Sequence, residues 1–148
     1  MKMTKEVMGL LNDPEATKVL TSVSSDGVPH TVVIGSAMAP EEGLIAAAEI
    51  LMKTSSKNLS QNSNVSVLAV KGTESYQVKA NVKERMTSGP FFENVQAELE
   101  KKGMPCNGVW LFEPVEAFNQ SAGPDAGKKY FKKGAENENC RQILFKIR

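Results

Sequence analysis

One histidine, two cysteines and one tryptophan occur in 148 residues, and each scarcity removes a class of chemistry. A zinc site needs His and Cys ligands at close spacing, and Cys106, Cys140 and His30 supply no such constellation. The same two cysteines offer no disulfide framework and read as reduced thiols. His30 has no Ser, Cys or carboxylate at a spacing that suggests nucleophilic catalysis. An excess of one charge is also missing. With 18 basic residues against 17 acidic ones and a net charge of +1, the chain carries no broad field to attract nucleic acid or an anionic membrane. Any anion site must be local. Long apolar runs are absent too. The opening "MKMTKEVMGLLNDPEATKVL" is interrupted throughout, which supports neither a signal peptide nor a membrane span and leads to the expectation of a cytoplasmic protein.

What is present suffices for one core. Apolar residues make up 41% of the chain, and its length is that of one domain, so residues 1–148 are expected to form a single unit. Val7, Met8, Leu10 and Leu11 recur at helical spacing behind Thr4, a candidate N-cap, and "NDP" ends that segment. "KVLTSVSSDGVPHTVVIGSAM" reads as two strands joined at Asp26-Gly27, the strongest hairpin signal in the chain. "GLIAAAEI" is a third strand of small residues, suited to close backbone approach or to a flat ligand. "VSVLAV" is a fourth strand, the alternating "SYQVKANVKERM" a half-solvated fifth, and "NGVWLFEPVEAFN" a sixth. Between the last two, "GPFFENVQAELEKKG" starts with Pro90, ends at Gly103 and reads as a helix. The stretch from "QSAGPDAGKKYF" onward reads as a Gly-rich loop. Lys128 and Lys129 in it could reach an anion, though a solvated loop is the stronger expectation. Six short strands with hairpin punctuation favour an antiparallel barrel or sandwich.

The segment "AAAEILMKTSSKNLSQNSNVSVLAV" raises a chemical question. Lys53 stands beside Thr54, Ser55 and Ser56 at the end of an apolar strand, ahead of about two polar helical turns. A point charge, short-reach hydroxyls and free helix N–H groups suit a phosphate. The alternative is a hydroxyl-capped helix with Lys53 as a solvated charge.

The order of these segments, with "DGVPHTV", "MKTSSKNLSQNSNV" and "NQSAGPDAGKK" as its most specific elements, resembles the pyridoxamine 5'-phosphate oxidase-like family of FMN-binding split barrels across nearly the whole chain. The resemblance implies a six-stranded antiparallel split β-barrel that dimerises, with FMN in grooves between the subunits. It implies that Lys53, Thr54 and Ser55 hold the flavin phosphate, with Lys57 a second candidate because the register differs by one residue among relatives. Val33, Ile34, Gly35 and Ser36 would edge the isoalloxazine ring, with Ala47, Ala48 and Glu49 on the neighbouring strand; ordinary barrel core is the competing role for each. Glu49 would repel a phosphate, so its side chain is expected to point away or to pair with a lysine. Trp110 matches the place from which relatives bring an aromatic toward the flavin of the partner subunit, although core packing is the commoner role.

The function so implied is that of a homodimeric FMN oxidoreductase whose electron partner is a small molecule or a redox protein. Pyridoxamine phosphate oxidation is not expected, because the family's C-terminal Arg and His pair has no counterpart in "CRQILFKIR". A non-catalytic module binding flavin or a deazaflavin is the alternative. Haem is disfavoured with His30 as the only imidazole, and a purely structural dimeric module remains if the lysine and hydroxyl cluster is only a cap.

Overall fold

The computed structural model describes residues 1–132; Cys140 and the "CRQILFKIR" segment lie outside the described residues. Helix α1 (Lys5–Leu11) starts where expected, with the Thr4 hydroxyl accepting from the Val7 N–H at 3.4 Å. Its apolar face, Val7, Leu10 and Leu11, is buried. Strands β1 (Thr17–Val23) and β2 (Pro29–Val33) form the expected antiparallel hairpin. Its turn closes through Gly27 N–H to the Ser24 carbonyl at 3.0 Å, with Gly27 at φ 84°, a conformation that Gly reaches without a Cβ clash.

A short strand absent from the sequence reading, β3 (Met38–Glu41), then pairs with β4 (Leu44–Glu49). Helix α2 (Lys53–Gln61) leads to β5 (Asn64–Lys71) and the long β6 (Glu74–Met86). Helix α3 (Pro90–Glu100) has Pro90 in its first turn, as its sequence predicts. Strand β7 (Gly108–Asn119) follows, and the Gly-rich stretch read as a loop becomes β8 (Lys128–Lys132), paired with β7.

Among the described residues the strands form one antiparallel sheet in the order β2-β1-β5-β6-β7-β4-β3, with β8 attached to β7, eight strands where six were expected. The sheet curls on the two long strands. Register shifts at Lys79/Ala80 and Val82/Glu84 of β6 let its first half pair with β5 while the whole strand follows β7. Strands β2 and β3 form the two ends of this order and do not pair with each other, which leaves the barrel split.

The barrel interior holds Leu20, Ile45, Val67, Val78 and Phe112, closed at one side by α1. A second cluster lies outside β4 and β7, where Ala46, Ala48, Val109 and Leu111 meet Phe92 of α3 and Cys106. Strand β4 is thus covered on both faces: Ile45 and Ala47 point into the barrel while Ala46 and Ala48 lie under α3. Its run of alanines is the consequence, since a strand buried on both faces has no place for polar alternation. Among the described residues, no helix is long and apolar enough to cross a membrane.

Candidate functional site

The split in the barrel is bridged by the chain from β2 to β3. Ile34 N–H donates to the Lys18 carbonyl at 2.8 Å. The Ser36 hydroxyl then accepts from the Ala48 N–H at 3.1 Å and donates to the Ala48 carbonyl at 3.3 Å. One side chain therefore satisfies main-chain groups of β4 that a neighbouring strand would otherwise take. Beside this crossing lies a cavity of about 810 Å³, within the size range of small-molecule sites. Its walls include Val33, Ile34, Gly35, Ser36 and Ala48, with Val95 and Leu99 of α3 across from them. A Cβ built on Gly35 would meet no atom within 4 Å, so its small size here keeps a wall open rather than relieving a clash.

Lys53, Thr54 and Lys57 do not line that cavity. They line a smaller one of about 430 Å³ with Ser24, Ser25 and Asp26 of the β1–β2 turn. The helix begins at Lys53 itself, one residue before the hydroxyls, and its N-cap Met52 provides no side-chain acceptor. Thr54 to Ser56 are therefore first-turn residues, which corrects the alternative that they cap the helix. Thr54 is exposed and Ser55 is buried. Lys53 and Lys57 are four residues apart on one helix face, both exposed, and neither forms an ion pair among the described residues. The two like charges repel each other, and the helix dipole also disfavours Lys53 in the first turn.

Ala47, Glu49, Ser55 and Trp110 line neither cavity and are buried. Glu49 does pair, but with an arginine rather than the expected lysine. Its carboxylate accepts from Arg85 Nη2 and the Ser56 hydroxyl, and from the Trp110 indole N–H at 3.2 Å. Burial pushes the Glu49 pKa up, but those three hydrogen bonds and the Arg85 charge outweigh it and hold the carboxyl below its ordinary value. Arg85 also donates to the Asn107 carbonyl at 3.2 Å, and its guanidinium sits 6.0 Å from the centre of the Trp110 ring. Gly108 makes room for it: a Cβ there would lie 2.9 Å from Arg85 Nε. Trp110 is thus held in the core by its own hydrogen bond. The sequence reading missed Arg85, whose only signal is that a buried carboxylate needs a cation.

His30 lies on β2 and lines neither cavity. Lys128 is paired with Asp125 at 2.9 Å and Lys129 with Glu116 at 3.4 Å, so β8 carries ion-paired lysines. Among the described residues no group of His, Cys, Asp or Glu could hold a metal ion. Cys106 is free and buried, and burial pushes its thiol pKa up, away from the reactive thiolate.

No protein-family model matches the chain, and no curated protein matches it either. Solved structures do. HupZ of Group A Streptococcus superposes with a TM-score of 0.72 at 17% identity, covering 84% of this chain and 99% of that one. An FMN-binding protein from Syntrophomonas wolfei gives 0.71 at 15% identity, over 80% and 86% of the two chains. A protein from Lactobacillus delbrueckii, whose name proposes pyridoxamine 5'-phosphate oxidase activity, gives 0.65 at 22% identity over 79% and 93%. The fold is the split barrel of the pyridoxamine 5'-phosphate oxidase-like proteins.

Proposed function

We propose that the protein is a cytoplasmic, homodimeric flavoprotein that takes FMN and serves as an oxidoreductase. The isoalloxazine ring would lie against Val33 to Ser36 and Ala48 in the large cavity. The phosphate would sit at the start of α2, on Lys53, Thr54 and Lys57. When bound, the flavin supplies hydride or electron transfer, while the chain supplies orientation, water exclusion and charge.

The observation that carries this reading is the pair of exposed lysines on the first two turns of α2, both lining the small cavity. The helix dipole disfavours Lys53 in the first turn, and the like charge of Lys57 one turn further on disfavours both; a dianionic phosphate would reverse both effects through charge-assisted hydrogen bonds. Asp26 lines the same small cavity without pairing to either lysine. The two cavities flank the turn from Met52, in the wall of the larger, to Lys53, in the wall of the smaller, so one ligand with a flat apolar end and an anionic end would span them. Support for the dimer comes from exposed apolar side chains at the split, Val33 at 74% and Leu51 at 90% exposure, and from an edge of β2 that has no strand partner among the described residues. A haem is less well served: HutZ from Vibrio cholerae, a heme storage protein, shares the fold at a TM-score of 0.59 and 13% identity, yet the only histidine of this chain lies outside both cavities.

Titration of the purified chain with FMN, followed by flavin fluorescence and visible absorbance, tests the reading. Uptake of about one FMN per chain is expected, with light scattering giving the mass of two chains. Failure to quench FMN fluorescence at micromolar concentration would reject the flavin, and a stable monomer would reject the dimer.

A further inference from the structure

We propose that Lys18 makes the large cavity a site for an anionic ligand with an apolar body, the lysine ammonium meeting a carboxylate or phosphate oxygen. Alternation along β1 puts Lys18, Leu20 and Ser22 on its buried face. Lys18 is 6% exposed, its carbonyl is bonded to Ile34 N–H, and it lines the cavity beside Asn12, Pro14 and Ile34. Each inward-facing polar neighbour has a partner. Ser22 accepts from Asn58 at 3.1 Å, and Asn12 exchanges two hydrogen bonds with the main chain of Ala39. The Lys18 ammonium has no hydrogen bond or ion pair among the described residues. Asp13, the carboxylate whose charge reaches it, bonds instead to Lys71 at 2.8 Å. Among the described residues no fully enclosed side-chain nitrogen or oxygen lacks a partner, so the Lys18 ammonium is not sealed in packed protein, and the residue contributes to the cavity wall.

A desolvated cation without a partner is costly, and Leu or Met would fill the same place at no such cost. Burial holds the Lys18 pKa below its ordinary value, and the Asp13 charge offsets only part of that effect. The remaining charged groups in the cavity wall, Glu98 and Lys102, are exposed on and just beyond α3. The rest is largely aliphatic: Val32, Ile34, Met38, Ile50, Val95 and Leu99. One inward cation in such walls selects one anionic group on an otherwise apolar molecule. The inference shares its cavity with the proposed flavin ring and stands whether or not the flavin is FMN.

The full-length chain, wild type, Lys18→Met and Lys18→Gln, is titrated with two fluorescent probes of one shape: the anionic 8-anilinonaphthalene-1-sulfonate and the neutral N-phenyl-1-naphthylamine. Both variants are expected to bind the sulfonate roughly ten- to a hundredfold more weakly, the loss of one charge-assisted contact, and to bind the neutral probe within about twofold of wild type. FMN and riboflavin are titrated in parallel. A loss confined to FMN assigns the anion to the flavin phosphate in place of Lys53, whereas an unchanged ratio of the two flavins assigns it to a second ligand; both keep Lys18 as the anion contact. Unchanged sulfonate binding, or equal weakening of both probes, overturns the proposal. Both variants are expected to melt at or above the wild-type temperature, and unfolding of both shows a structural lysine and overturns it as well. A chain that takes no flavin still answers the probe comparison.

Discussion

Trp110 and Glu49 meet diagonally across the β4–β7 pair, where Glu49 stands opposite Gly108 and Ala47 opposite Trp110, the indole N–H donating to the carboxylate at 3.2 Å. Through Arg85 and Ser56 the same carboxylate reaches β6 and α2, so one side chain holds four elements in register.

Glu49→Gln keeps the shape and removes the charge. The expected loss is about 1–3 kcal/mol by urea unfolding at neutral pH, toward the lower end because the Arg85 side chain is 36% exposed and partly screened by water. The carboxyl pKa is lowered in the folded chain from its ordinary 4.5. Its stabilisation is therefore complete above that value and is lost as pH falls through the folded value. The gap between wild type and Glu49→Gln should close on acidification below about pH 4.5; a gap that persists to the lowest pH at which both fold would show that the charge is not its source.

Lys53→Ala is expected to weaken FMN roughly 10- to 100-fold while leaving riboflavin, the same ring without phosphate, nearly unchanged. Lys57→Ala, run beside it, fixes which lysine carries the larger share. Equal weakening of both flavins by either variant would mean that the residue shapes the pocket generally, and no effect from either would remove the phosphate from α2.

Ser36→Ala should leave the Ala48 N–H without an acceptor and free the crossing from β4. A cost of about 1 kcal/mol is expected, read as roughly fivefold faster hydrogen exchange at the Ala48 amide with little change in global stability. Unchanged exchange there would show that water or the main chain replaces the hydroxyl.

Much of this architecture was legible in sequence because it rests on local rules. The Thr4 cap, the Asp26-Gly27 turn and Pro90 at the start of α3 each act within a few residues. The two missed strands carry little strand signal of their own: β3 is a four-residue edge containing Pro40, paired with β4 across Glu42-Gly43, and β8 follows a Gly-rich stretch and is defined by its pairing with β7. The start of α2 was misjudged because Met52 gives no cap signal, leaving the polar cluster to look like the boundary. Lys18 escaped notice for a related reason. In "TKVLTSV" both faces carry apolar residues, and the more apolar set, Val19 and Val23, is the less buried one. Alternation alone does not say which face turns inward when tertiary packing decides it.

Gly108 gives the site a signature that other sequences can carry. Because a single added carbon there would press on the guanidinium of Arg85, which Glu49 and the Asn107 carbonyl hold in place, positions 85 and 108 are expected to change together. In homologous chains a side chain at 108 is expected only where 85 is no longer arginine, and where that happens the acid at 49 should have changed too. Drift at these three places would thus be correlated, although 85 and 108 stand on different strands and 49 on a third.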